Sequence, residues 1–211
     1  MALIQGNYKD LRPRMKAGDV IAFGGDSLLS GIIKGITRSG VSHLAVVMKK
    51  SKSDGEGDLV SLVESTGIDD FTGVQVTRLS KRMEYHGEIW YMPLRQSLYD
   101  KFDDNDFREF LFEQVGKPFD VGQGFNAAAD ALDQLPGGLG YNKEDFSKFF
   151  CSELVAAALE ASGVVGPINA SEVTPIDLCR WDIFEDDYFQ IKGEAKPVTR
   201  RNTGNPADWN Y

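Results

Sequence analysis

The chain contains the residue types of a thiol nucleophile and its base, and the thiol is Cys151 in the segment FCSELVAAALEASG. Apolar residues from Leu154 to Leu159 recur there at helical spacing, which predicts a helix over 147–161 with Cys151 near its start. A helix N-terminus lowers a thiol pKa, and the Cys151 N–H would be a donor for an oxyanion. Most cysteines in apolar helices are core residues, so a catalytic Cys151 needs a base.

The candidate base is His43, in the segment VSHLAVVM. The alternation of a strand places His43 on one face with Val41, Ala45 and Val47. A histidine on an apolar strand face is most often a hydrogen-bonded core residue. A catalytic interpretation therefore requires a polar partner on the same face.

A predicted β-hairpin supplies that partner. Its strands are 41–48 and 59–64, and the polar segment 49–58 is its exposed loop. If the strands pair about a centre between Ser53 and Asp54, His43 lies directly across from Glu64 on the same face. A carboxylate there would orient the imidazole of a Cys-His-Glu site, which is the arrangement for thiol acyl transfer. A structural His-Glu pair is the alternative, and a one-residue change of register would remove the contact.

The remaining pattern indicates an α+β fold. Further strands are predicted over 19–23, 74–79 and 89–94, and helices over 27–37 and in the segment that begins at Asp103 and ends at Gly116. The segment 122–141 contains PGGLGY and is predicted to be a connection that acts as a lid. Its three leucines would line an apolar cleft or form ordinary core: Leu132, Leu135 and Leu139.

The composition predicts one domain. The chain has 211 residues, 42% hydrophobic and 26% charged, with no break in composition near the middle. We therefore expect a single domain over 1–192. The segment 193–211 has two prolines and few aliphatic residues, which predicts a weakly ordered C-terminal tail.

Charge and motif content exclude several functions. Acidic residues outnumber basic ones by 32 to 23, which disfavours nucleic acid as a partner. The chain shows neither a secretory signal nor an apolar run long enough for a transmembrane segment, so we expect it to be cytoplasmic as synthesised, with free thiols. No zinc, EF-hand or phosphate-loop spacing occurs, and we expect no cofactor or metal. His86 is interpreted as a solvated turn residue and Cys179 as a packing residue.

Five segments resemble one protein family. MKAGDVIAF, ITRSGVSHLAVV, LVEST, VGKPFD and FCSELVAAALEASG are similar to segments of the permuted NlpC/P60 superfamily, the YiiX-like proteins, and more distantly of lecithin retinol acyltransferase. The resemblance extends from about Met15 to Gly163. Its most specific parts are SH after a turn and CSELV at the start of a helix. Relatives often have KPYD where this chain has Phe119 in KPFD, so a polar role at that position is in doubt.

The resemblance implies a circularly permuted papain-like fold and a cysteine hydrolase. The family's nucleophile corresponds to Cys151, its base to His43 and its third residue to Glu64. The implied substrate is a cell-wall peptide amide derived from peptidoglycan, and an acyl lipid is the rival. A non-catalytic virion or envelope-binding module that keeps the fold is the other alternative. A cell-wall substrate would require a phage-mediated or envelope-directed role that the sequence does not explain.

Overall fold

The structure is a computed structural model that describes residues 2–25, 40–53, 57–68, 71–118 and 147–209. Within these residues, seven strands form one mixed sheet. They are β1 (Leu3–Gln5), β2 (Val20–Gly25), β3 (His43–Ser53), β4 (Gly57–Ile68), β5 (Phe71–Arg78), β6 (Gly87–Met92) and β7 (Tyr188–Lys192). The strand order is β1-β7-β6-β2-β3-β4-β5, in which β1 and β7 are parallel and the other pairs are antiparallel. The α+β class is confirmed.

Five α-helices lie in the described residues. They are α1 (Tyr8–Leu11), α2 (Leu79–Arg82), α3 (Asp104–Gln114), α4 (Ser147–Ala161) and α5 (Pro175–Arg180). Short 3₁₀ turns occur at Arg12–Arg14, Gln96–Leu98, Ala170–Glu172 and Pro206–Trp209. The predicted bounds of α4 are confirmed, and α3 begins where Asp103 accepts hydrogen bonds from two backbone N–H groups. The predicted helix 27–37, the lid 122–141 and Phe119 fall outside the described residues.

The sheet separates two apolar layers, because neighbouring residues of a strand point to opposite faces. The first layer, which we call the α4 face, contains Ala22, Leu44, Val46 and Val63 with residues of α3 and α4. The second, the α2 face, contains Ile21, Phe23, Ala45, Val47 and Leu62 with Leu11 of α1 and Leu79 of α2. Strand β2 and residues 43–48 of β3 are buried on both faces, which explains the apolar sequence of these two segments.

The hairpin differs from its prediction in length and register. Strands β3 and β4 extend through most of the segment that was expected to be an exposed loop, and only residues 54–56 separate them. The predicted register would place Val47 across from Val60, whereas the structure places Val47 across from Leu62. The prediction assumed that lysine, serine and glycine residues mark a loop, but the two strands remain paired through this segment.

The C-terminal segment also differs from the expectation of a weakly ordered tail. Val198, Arg201 and Asn202 are buried. The Asn202 side chain donates a hydrogen bond to the Phe184 carbonyl, and the Tyr188 hydroxyl accepts one from the Val198 N–H. The composition missed this packing because a few buried side chains and backbone hydrogen bonds anchor a segment that is otherwise polar.

Among the described residues, no helix is both long enough and apolar enough to cross a bilayer.

Candidate active site

The structure brings His43 and Glu64 together. Nε2 of His43 lies 2.7 Å from Oε2 of Glu64, and the two residues are 6% and 0% exposed. An ionised carboxylate only accepts hydrogen bonds, so Nε2 carries the hydrogen and donates it. The predicted contact between these residues is therefore present.

The contact depends on a β-bulge that the sequence analysis did not anticipate. In the outer part of the hairpin Lys49 pairs with Ser61, a register shifted by three residues from the prediction. An odd shift continued to the start of β3 would turn Glu64 to the opposite face from His43. The irregularity between Val47 and Lys49 absorbs one residue, so the net shift near the site is two. His43 consequently reaches Glu64 along the diagonal, and not directly across the strands.

The other oxygen of the Glu64 carboxylate accepts a hydrogen bond from Thr77 and forms an ion pair with Arg82, whose Nε has no hydrogen-bond partner among the described residues. The Thr77 hydroxyl donates to Oε1 at 2.5 Å, and Nε of Arg82 lies 3.1 Å from the same oxygen. Thr77 is on β5 across from Leu62, so its side chain also belongs to the α2 face. Neither contact was predicted from the sequence, because the approach of both residues to Glu64 depends on how β5 and α2 pack against β4.

Two aromatic rings surround the guanidinium of Arg82. Its carbon lies 4.7 Å from the centroid of the Phe23 ring and 5.3 Å from that of Tyr85. The Phe23 ring in turn lies 5.3 Å, centroid to centroid, from the imidazole of His43. A cation over an aromatic face is stabilised electrostatically. Base, carboxylate, cation and rings therefore form one connected cluster on the α2 face.

Glu64 remains ionised despite its burial. Burial alone would raise its pKa, but the hydrogen bond and charge interaction with His43, the charge of Arg82 and the hydrogen bond from Thr77 together hold the pKa below its usual value. The Glu64 carboxylate is thus a permanent acceptor for the imidazole near neutral pH. A general base oriented by a carboxylate is a feature of thiol and serine acyl-transfer sites.

This lowered pKa predicts a loss of stability in acid. A group whose folded-state pKa is depressed stabilises the fold above its unfolded pKa, near 4.5, and loses that contribution as the pH falls through the folded value. Between about pH 5 and 3 we expect the unfolding free energy to decrease less in Glu64→Gln than in the parent protein. Urea unfolding of the parent and the variant across that range measures the difference. Parallel curves for the two proteins would contradict it.

Cys151 lies in the other layer of the molecule. It is 0% exposed and belongs to the cluster on the α4 face with Leu44, Val46 and Val63, whereas His43 points to the α2 face beside Phe23. The sheet therefore stands between the side-chain layers of the thiol and the imidazole. Alternation along β3 determines this, because His43 and Leu44 are neighbours and α4 packs on the face of Leu44.

Cys151 is the fifth of the described residues of α4, which extends from Ser147 to Ala161 as the sequence predicted. Residues 119–146, which precede this helix in the chain, lie outside the described residues. Cys179 on α5 is also fully buried, and burial raises its pKa, as expected for a packing residue.

A second buried carboxylate, Asp19, was not predicted as a site. It accepts hydrogen bonds from the backbone N–H groups of Lys16 and Leu94 and from the hydroxyls of Tyr91 and Tyr99, at 2.8 to 2.9 Å. Burial raises its pKa to about 6, against these hydrogen bonds, which lower it. It borders an open cavity of about 440 Å³. Asp19 ties the turn before β2 to the end of β6.

His86 and possible metal ligands were also considered in the sequence. His86 is exposed, as expected for a turn residue. In the parts of the chain that the structure describes, no group of three histidine, cysteine or carboxylate side chains has the arrangement of a metal site.

The chain is similar to metalloprotein yiiX from Escherichia coli O157:H7, with 16% sequence identity and a TM-score of 0.41. The match covers 70% of this chain and 66% of that chain, slightly less than two-thirds of its length. No family model and no curated protein matches.

Proposed function

We propose that the protein is a cysteine hydrolase or acyltransferase of permuted papain-like architecture. In this proposal Cys151 attacks an amide or ester carbonyl, His43 takes and returns the proton, and Glu64 orients the imidazole. Water or an amine then resolves the acyl-enzyme. The observation that carries the proposal is the buried hydrogen bond between His43 and Glu64.

The nitrogen that makes this bond supports the assignment of roles. Because Nε2 of His43 is held by Glu64, the proton exchanged with a nucleophile would pass through Nδ1. One ring nitrogen for the orienting residue and one for the nucleophile is the division of labour that a nucleophile-base-orienter site requires. Thr77 and Arg82 fix the Glu64 carboxylate and so limit rotation of the imidazole.

The proposal requires the sulfur of Cys151 to reach the imidazole of His43. In the described structure the thiol belongs to the α4 face and the imidazole to the α2 face. Catalysis by this set therefore needs a conformation in which the sulfur reaches Nδ1 of His43 around the beginning of β3. A separation of about 4 Å or less between sulfur and nitrogen defines the competent state.

The substrate class that we propose is a cell-wall peptide amide, and its support is the resemblance of the sequence segments. An acyl lipid is the rival substrate for the same three residues.

Alkylation of Cys151 tests the pairing of thiol and base. We expect iodoacetamide to modify Cys151 at about pH 6.5 at least tenfold faster in the parent than in His43→Gln, because the imidazole favours the thiolate. Mass spectrometry of the Cys151 peptide measures the rate, and the Cys179 peptide of the same sample is the internal control. A slow rate that His43→Gln leaves unchanged would overturn the proposal.

A non-catalytic binding module is the second candidate function. The observation that favours it is the complete burial of Cys151 among apolar residues on the α4 face, where a thiol behaves as a small hydrophobic side chain. In that case the cluster of His43 and Glu64 stabilises the hairpin. Equal and slow alkylation of Cys151 and Cys179 at all pH values below 8 would favour this function.

A further inference from the structure

We propose that Arg82 is a positioning residue that keeps the imidazole of His43 neutral near pH 7, with its proton on Nε2. The role of Arg82 in catalysis rests on the proposed function. Its effect on the protonation of His43 depends only on the cluster on the α2 face.

Arg82 lies beside the Glu64 carboxylate on the α2 face. Nε of Arg82 is 3.1 Å from Oε1 of Glu64, and the side chains of Arg82 and Glu64 are 13% and 0% exposed. The rings of Phe23 and Tyr85 flank the guanidinium, and they meet edge to face with centroids 5.4 Å apart. The guanidinium is thus packed against two rings and forms an ion pair with the carboxylate. The centroid of the Phe23 ring lies 5.3 Å from that of the His43 imidazole and 4.7 Å from the guanidinium carbon. The imidazole and the guanidinium are therefore no more than about 10 Å apart.

The charges of Arg82 and Glu64 affect the protonation of His43. Arg82 and Glu64 carry opposite charges, so their pair is neutral before His43 is considered. A proton added to His43 then introduces a buried positive charge close to the guanidinium, which is unfavourable. Without Arg82 the same proton would neutralise the Glu64 carboxylate. The charge of Arg82 therefore opposes the effect of the Glu64 carboxylate, which by itself favours the protonated imidazole.

The described charged and titratable groups around His43 come from three elements. Glu64 faces it from β4, Arg82 approaches from α2, and the Tyr85 hydroxyl lies in the turn that follows α2. Thr77 of β5 contributes a neutral donor to Glu64, and Phe23 of β2 contributes a ring. Arg82 is the cation of this set, so its replacement isolates the effect of positive charge on His43.

Nitrogen-15 NMR tests the proposal on the unmodified protein. The chain has two histidines, and exposed His86 is the reference. At pH 7 we expect His43 to show a protonated Nε2 and an unprotonated Nδ1. An imidazolium spectrum for His43 at pH 7, or a neutral ring with its proton on Nδ1, would overturn the proposal without any substitution.

Substitution of Arg82 tests the cause. A unit charge about 7–10 Å away at an effective dielectric constant of about 20 shifts a titration by roughly 1 to 2 pH units. We therefore expect the midpoint of the His43 resonance to rise by roughly 1 to 2 pH units in Arg82→Gln and in Arg82→Met, which keeps the apolar stem between the rings. Arg82→Lys retains the charge and should keep the parent midpoint.

Arg78→Gln is the matched control. It removes the same charge from an exposed position on β5, one residue from Thr77, and should leave the midpoint unchanged. An unchanged or lowered midpoint in both charge-free variants would overturn the proposal. If His43→Gln does not slow the alkylation of Cys151 but the His43 midpoint still rises in the charge-free variants, the thiol mechanism is wrong and the role of Arg82 stands. The proposed function and the inference about Arg82 can therefore fail separately.

Discussion

Replacement of Cys151 by alanine is expected to reduce turnover to the rate of a protein-free control, a loss of at least about 1,000-fold. The covalent step forms a bond between the sulfur and the acyl carbon, and alanine has no atom that substitutes for it. Peptidoglycan-derived peptides and acyl lipids are supplied separately to the parent protein and to the variant. Release of amine or of fatty acid measures the rate and identifies the substrate class.

Cys179→Ala is the matched control for this experiment. Both cysteines are fully buried helical residues, so the two substitutions make similar cavities, but only Cys151 has the proposed chemistry. Cys179→Ala should retain the parent rate within about threefold, since its loss concerns packing only. Equal loss in both variants would show that the effect comes from the fold. Turnover that persists in Cys151→Ala would exclude the thiol mechanism.

Glu64→Ala is expected to lower the free energy of unfolding by about 3–5 kcal/mol. The substitution leaves Arg82 as a buried cation without its carboxylate, and it removes the acceptor for His43 Nε2 and for the Thr77 hydroxyl. Breaking a buried ion pair from one side costs this much because the remaining charge is still desolvated. Urea denaturation at pH 7 measures the change.

Two controls distinguish this cost from a general effect on the hairpin. Glu64→Gln keeps the shape and one acceptor oxygen, so it should cost less than Glu64→Ala. Glu84→Ala removes a carboxylate from an exposed position two residues after Arg82 and should leave the unfolding midpoint unchanged. A loss below about 1 kcal/mol in Glu64→Ala would mean that the cluster is weakly coupled to folding.

Local patterns were sufficient for the elements that carry their own periodicity. The spacing of apolar residues located α4, and α3 and β2 were predicted within a few residues, because each pattern is set by which residues face the core. The parallel contact of β1 with β7 had no local signal, since it joins the two ends of the chain. The anchoring of 193–209 was missed for the same reason, because its contacts lie on β7 and on the segment after α5.

Hairpin register shows how a site contact was predicted correctly from an incorrect pairing. Because side chains alternate along a strand, His43 and Glu64 share a face only if the observed register differs from the predicted one by an even number of residues. The bulge between Val47 and Lys49 makes this shift even near His43. Thr77 and Arg82 complete the cluster through β5 and α2, which no spacing within the sequence links to Glu64.

For the candidate site, the amino-acid sequence by itself determined its residue types and the helix that contains Cys151. It also placed His43 and Glu64 on the two strands of one hairpin. Only the tertiary structure decided which sheet face each of these residues occupies. Alternation within β3 separates His43 from Leu44, and the docking of α4 on the face of Leu44 assigns Cys151 to that layer. Which sheet face a helix packs against depends on contacts between residues far apart in the sequence. When both faces of a strand are apolar, its hydrophobic pattern does not indicate which face the helix covers.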